Sequence, residues 1–151
     1  MAPPWKIRCY TNDSGRNEIE KWYANQSATA QAAFDSALEF LVHQPREAWV
    51  RPEATRLAGA VCRGLYEIRI KAERKQIRPL GFFGPDEANE FTIVFVALEK
   101  GNEFEPSNAC KTANARKSAV LRDKSKHSCE CYCSVVNVLC TACTSPCCQS
   151  N

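Results

Sequence analysis

At 151 residues the chain is long enough to bury one core and too short for two full domains. Its 20 Lys and Arg stand against 17 Asp and Glu, a net charge of +3, so the total does not announce a polyanion binder and the distribution has to be read instead. No run approaches the about 18 apolar residues of a membrane span, and the opening Met1-Ala2-Pro3-Pro4-Trp5-Lys6 leads into no apolar stretch of the kind a secretory leader needs. The expectation is a soluble cytoplasmic protein without a membrane partner.

The 10 cysteines are unevenly placed. Cys9, Cys62 and Cys110 are scattered singles, and the rest crowd between 129 and 148. A disulfide framework is normally spread through the fold it staples. The three singles are therefore expected to be ordinary buried or half-buried thiols.

Residues 5–10 alternate apolar and polar side chains, as a strand with one buried face does. A turn-rich stretch follows at 11–15, where Asp13 or Ser14 can cap a helix, and residues 17–25 place Ile19, Trp22 and Tyr23 at helical spacing. Ser27 caps a second helix, whose apolar face is Ala30, Ala33, Phe34, Ala37, Leu38 and Leu41. It ends at 43–45, because the residue before Pro45 disfavours the α region. Residues 46–64 hold Pro52, Gly59 and Gly64 without a firm period and read as a connecting loop, with Trp49 or Leu57 tucked onto the core.

Three strands follow. Residues 65–71 set Tyr66, Ile68 and Ile70 on one face and Leu65, Glu67, Arg69 and Lys71 on the other. Residues 76–83 are the second, with Pro79 and Gly81 marking an irregularity or an edge. Residues 91–98 are nearly all apolar and read as central. A last helix at 108–123 opens after Pro106 and Ser107, with Ala109, Ala113 and Val120 on one face and Lys111, Arg116, Lys117 and Arg122 on the other. The order is β-α-α-β-β-β-α, an α+β fold in which helices cover one face of a small, mostly antiparallel sheet. The domain is expected to span 1–124, with a cysteine-rich tail at 125–151.

The basic residues concentrate on the middle strands. Arg63, Arg69, Lys71, Arg74, Lys75 and Arg78 fall close together against Glu67 and Glu73, and Lys100 ends the last strand. If helices cover the apolar face, this basic face is open to a polyanion. An ordinary solvated, salt-bridged face is the competing reading.

In the tail, Cys129, Cys131 and Cys133 share one side of an extended chain, and Cys140-Thr141-Ala142-Cys143 has the spacing of a tetrahedral ion knuckle. Soft thiolates of this kind select Zn(II) or Cu(I). An unstructured tail without a role is the alternative, and activity is not expected to depend on it.

Four segments taken together resemble a known family. Leu57-Ala58-Gly59, then Gly64-Leu65-Tyr66-Glu67-Ile68-Arg69, resembles the "L-x-G…G-L-x-E-[LI]-R" segment of phage-derived HigB-like toxins of the RelE superfamily. Ile77-Arg78-Pro79-Leu80-Gly81-Phe82-Phe83 is similar to their next strand, residues 91–100 to the apolar strand with its terminal lysine, and Pro106, Ala109, Ala113 and Arg116 to the closing helix. The resemblance runs from about Trp5 to Asp123. It implies the fold order above and ribosome-dependent cleavage of mRNA without a catalytic cofactor. It also implies neutralisation by an antitoxin, commonly a helix-turn-helix protein.

Such cleavage uses the neighbouring 2′-OH as nucleophile. The site must remove that proton, stabilise an anionic phosphorane and protonate the 5′ oxygen. Arginine suits the middle task. Arg69 and Arg78, at the family's basic positions, are expected to bind phosphate or the transition state, with a salt bridge from Arg78 to Glu67 or Glu99 as its competing role. Lys100 is expected to hold a phosphate or donate a proton, with Arg63, Lys71, Arg74 and Lys75 as further RNA contacts. Glu67 is a base only if it is desolvated in the same groove. Relatives often place a Tyr or His near the last strand; residues 101–108 carry neither, so the general acid and base stay unassigned. Two other readings follow: a catalytically inactive RNA- or protein-binding relative, and a thiol-rich metal-binding protein.

Overall fold

The computed structural model describes residues 4–129. One mixed sheet forms the middle of the molecule, in the order β2-β3-β5-β6-β1-β8, with β4 alongside β5 and β7 alongside β6. The strands are β1 (Lys6–Tyr10), β2 (Ala54–Arg56), β3 (Tyr66–Ile68), β4 (Ile70–Ala72), β5 (Lys75–Phe83), β6 (Glu90–Lys100), β7 (Glu103–Glu105) and β8 (Ser128–Cys129). Only β1 and β6 run parallel, and the other pairs are antiparallel. No helix among the described residues is long and apolar enough to cross a membrane.

The first two helices are α1 (Glu18–Ala24) and α2 (Ala28–Val42). The cap of α1 is Asn17, whose side chain accepts from Ile19 N and Glu20 N, and not Asp13 or Ser14. Asn12 organises the turn before it by accepting from the backbone N–H groups of Ser14 and Arg16. Ser27 caps α2 through Ala30 N and also donates to Glu73 Oε1 at 2.5 Å, so the cap ties the helix to the β4–β5 turn. Helix α2 buries Ala30, Phe34, Leu38 and Leu41, the face its periodicity expects, and ends at the His43 cap.

These helices close a first core with Ile7, Cys9, Ile68, Ile70, Ile77, Phe91 and Ile93. Trp49 lies inside it at 1 % exposure, packed on Phe83 and Phe91. A second core holds Leu65, Leu80, Phe82, Val94 and Ala97 against Ala109, Cys110, Ala113 and Val120 of α3 (Ala109–Arg122). Helices therefore cover both faces of the sheet, which corrects the expectation of a single covered face. The physical reason lies in β6. Residues that alternate along a strand serve two faces, and a strand as apolar as β6 needs cover on both.

The β5–β6 register shows how the two cores divide. Leu80 pairs with Phe95 and Gly81 with Ile93, leaving Val94 as the extra residue of a β-bulge. Phe91 and Ile93 face the first core before it, and after it the alternation is reversed, so Ala97 faces the second. The carbonyl of Val94 accepts from Arg116 Nη1 at 3.0 Å, and that guanidinium lies over the rings of Tyr10 and Phe95. Opposite, Gly81 leaves room for Phe91: a Cβ there would run into the Phe91 ring and Thr92 O.

Three features depart from the sequence reading. The segment expected as one strand is broken at Arg69, whose N–H leaves the ladder to donate to Glu53 O at 2.9 Å. Cys62 and Cys110 form a disulfide with Cα atoms 5.1 Å apart, and are not separate thiols. The folded chain also continues past residue 124. A short helix, α4 (Lys124–His127), leads into β8 on the outer side of β1. Buried Arg8 holds it there by donating from Nε to Ser128 Oγ at 2.9 Å, with Glu90 at 3.6 Å and Lys124 joined to Glu90 at 2.9 Å. His127, expected outside the domain, is buried against Tyr10.

Gly81→Ala should overpack this region and cost about 1–3 kcal/mol, read as a lower urea midpoint without a change in slope. A second expectation concerns the Tyr23 hydroxyl, which donates to Asp35 Oδ2 at 2.9 Å. Burial, then the hydrogen bond to Asp35, pushes the phenol up to about 12. A group whose pKa is raised by folding stabilises fully below its unfolded value, near 10 for a phenol, and loses that contribution as pH rises toward the folded one. The stability advantage of the native protein over Tyr23→Phe should therefore be about 1 kcal/mol at neutral pH and shrink between pH 10 and 12.

Candidate nucleic-acid interface

On the α3 face, beyond the end of the second core, the middle strands carry four charged side chains in contact. The register pairs Glu67 with Leu80, Arg78 with Ala97 and Gln76 with Glu99, which sets Glu67, Arg78 and Glu99 on one side of neighbouring strands. Arg78 donates from Nε to Glu99 Oε1 at 2.8 Å, from Nη1 to Ile77 O at 3.1 Å and from Nη2 to Gln76 Oε1 at 3.0 Å, with Glu67 Oε2 at 3.8 Å. All three guanidinium nitrogens are thus engaged, and the residue is 2 % exposed. Arg69 pairs with Glu67 and lies 3.9 Å from Glu99. Two arginines and two glutamates balance one another inside the sheet.

In this structure Arg78 makes the salt bridge weighed as its competing role, to Glu99. A phosphate needs an open guanidinium edge, and Arg78 has none in this structure. Its geometry is that of a buried strut between β5 and β6. Arg69 is different. It sits in the break between β3 and β4, its side chain is 20 % exposed, and it lines an open cleft of about 500 Å³. Glu99, 22 % exposed, lines the same cleft.

The other expected residues lie elsewhere. Lys100 is 67 % exposed and pairs with Glu105 at 2.9 Å across the β6–β7 hairpin. Lys71, Arg74 and Lys75 are exposed around the β4–β5 turn, where Glu73 and Arg74 take left-handed φ values of 54° and 65°. Arg63 is exposed in the loop before β3. None of these five lines the cleft. Of the expected metal ligands, Cys129 is buried and disulfide-bonded, which takes its sulfur out of thiolate ligation, while Cys131, Cys133, Cys140 and Cys143 lie outside the described residues. Among the described residues no cluster of His, Cys, Asp and Glu is arranged to hold a metal ion.

The cations that do frame the cleft come from the segment read as loop. Arg51 and Arg56 line it beside Arg69, with Arg56 at the end of β2. Facing them are Glu67, Glu99 and Glu103. One wall is the chain around Leu57, Ala58 and Cys62. That wall is tied down from a single stripe of α3: Cys110 through the disulfide, Asn114 by donating to Val61 O, and Lys117 by donating to Gly64 O at 3.2 Å. Positions 110, 114 and 117 share a helix face, and one rigid element positions the wall. The sequence signal for Arg51 and Arg56 was weak, since β2 is three residues long and shows no alternation.

With no His, Tyr or Lys among the cleft-lining residues, the site's chemistry rests on guanidinium and carboxylate groups. It can hold a phosphate between arginines, and it can accept a proton at Glu99. No family model matches the chain, and no curated protein or solved structure matches it.

Removing one member of the buried network leaves charges unpaired. Arg78→Ala should cost about 3–5 kcal/mol, measured by urea unfolding, because Glu67 and Glu99 lose their inner partner. Near-native stability of that variant would show that the pair is not desolvated as described.

Proposed function

We propose that the chain is an RNA-directed toxin of the RelE/HigB type, cutting mRNA on the ribosome in the cytoplasm and held in check by a cognate antitoxin of helix-turn-helix type. The observation that carries the reading is the cleft itself, which Arg51, Arg56 and Arg69 line together with Glu99 at the end of the sheet. The α+β order and the motif resemblance support it.

In this reading the scissile phosphate lies between Arg56 and Arg69, whose guanidinium groups neutralise its oxygens. Glu99 takes the 2′-OH proton as the 2′ oxygen bonds to phosphorus. The P–O5′ bond breaks, leaving a 2′,3′-cyclic phosphate and a 5′ oxygen that must be protonated. The cleft wall supplies no His, Tyr or Lys for that last step, so the proton comes from water or from the ribosomal assembly that holds the mRNA. Ribosome dependence fits a site that binds and orients phosphate but lacks an acid of its own. The antitoxin acts by covering the cleft.

The same gap favours a second reading, an inactive relative that binds RNA without cutting it. The two separate in a translating-ribosome assay with labelled mRNA, comparing the full chain with Arg56→Ala. Arg56 is exposed and takes no part in the buried network, so the variant should fold. Cleavage by the native chain, reduced about tenfold or more in the variant, is the expected result. RNA binding without cleavage would favour the inactive relative. Neither binding nor cleavage by the folded native chain would overturn both.

A further inference from the structure

A second cleft, of about 410 Å³, lies on the other side of the wall that α3 pins, and Arg56 lines both. Arg46, Arg56 and Lys117 converge on it, and Glu87 is the only carboxylate among its lining residues. The first cleft balances its arginines against three glutamates; this one keeps a net excess of positive charge. We propose that the second cleft is a phosphate subsite for single-stranded RNA, continuous with the first through Arg56. The inference deepens the function proposed above and rests on it.

Three features support this assignment. Lys117 is partly buried, with its Nζ 5.3 Å from the centre of the Phe82 ring. It donates to the Gly64 carbonyl, and among the described residues no carboxylate stands within ion-pair distance of it. Burial lowers its pKa, only partly offset by the more distant Glu87. A desolvated ammonium without a close counter-ion gains from an anion that arrives with the ligand. The Arg46 guanidinium lies 4.5 Å from the centre of the Phe83 ring, which orients it, and its contact with the exposed Glu87 is long at 4.0 Å. A solvent-screened pair of that length contributes little and is readily exchanged for phosphate.

The third feature is Tyr66, half-buried in the same cleft and edge-on to Phe83 at 5.0 Å between ring centres. An aromatic face beside paired cations is the combination that holds a single strand, with a base stacked and its phosphate neutralised. Duplex RNA offers no unstacked base for it. The order along the strand follows from the shared residue: Arg56 contacts the scissile phosphate where the two clefts meet, and Arg46 with Lys117 holds a neighbouring one.

The test is the salt dependence of binding to a labelled single-stranded oligouridylate, measured with the full chain, Arg46→Ala, Lys117→Met and, as a charge control on helix α1, Lys21→Ala. Each lost phosphate contact should lower the magnitude of the log K against log salt slope by about 0.7. Affinity at low salt should fall about tenfold for Arg46→Ala and for Lys117→Met, and stay unchanged for Lys21→Ala. Arg46 is exposed, so its variant reads the subsite even if Lys117→Met loses stability. Native slope and affinity in Arg46→Ala and in folded Lys117→Met would overturn the subsite while leaving the first cleft's role intact. Equal losses in all three variants would show a general charge effect and overturn it too. No binding by the native chain would remove the function on which it rests.

Discussion

The bulge at Val94 is the constraint on which the rest depends. Strand β6 serves helices on both faces, and one inserted residue reverses its alternation midway. Before the bulge, Phe91 and Ile93 point to α1 and α2. After it, Ala97, and two residues on Glu99, point to the α3 side. Without the insertion Glu99 would face the first core, where a carboxylate has no partner. With it, Glu99 meets Arg78 across the ladder. The room for the distortion comes from Gly81, and the carbonyl it displaces is satisfied by Arg116. A packing device in the sheet thus sets the chemistry at its end.

That chemistry is a compromise between stability and recognition. The network of Glu67, Arg69, Arg78 and Glu99 is charge-balanced, and balanced networks of this kind add less to stability than their number of contacts suggests, because desolvation offsets attraction. What the network does supply is direction. Arg78, bound at every nitrogen, fixes Glu99, and Glu67 restrains Arg69. Three of the four side chains line the cleft, and Arg78, the one that does not, anchors the set from inside the sheet. In the proposed phosphate-binding role such restraint helps, since less side-chain freedom is lost on binding.

Long elements were legible in the sequence and short ones were not. Strands β1, β5 and β6 and helices α2 and α3 show their periods over enough residues to be read, and the buried face of α2 is the one its spacing predicts. Strands β2, β7 and β8 have two or three residues each, too few for any period, and tertiary pairing alone makes them strands. The cleft inherits this limit, because Arg51 and Arg56 belong to the unpatterned stretch. Counting basic residues pointed to the β4–β5 hairpin, where lysines and arginines are dense because the hairpin is solvated. For Arg78 the sequence offers both a phosphate role and a salt bridge to Glu67 or Glu99, because strand alternation shows which face a side chain takes and not how deeply it is buried there. The single-face expectation overlooked what the apolar run of β6 requires, which is cover on both faces.

The disulfide explains why a loop can serve as a partition between two clefts. The chain from Leu57 to Leu65 has few ladder bonds of its own, with Leu57 N donating to Leu65 O and Leu65 N to Cys62 O. A loop so sparsely bonded would open readily. Helix α3 prevents that from one stripe, by a covalent link at Cys110 and hydrogen bonds at Asn114 and Lys117. Closing a chain segment of 48 residues contributes about 4 kcal/mol in the chain-entropy account, far more than the two hydrogen bonds. Lys117 then has two tasks at once. Its ammonium holds the wall through the Gly64 carbonyl, and the same ammonium faces the second cleft, so an anion drawn there bears directly on the wall that the two clefts share.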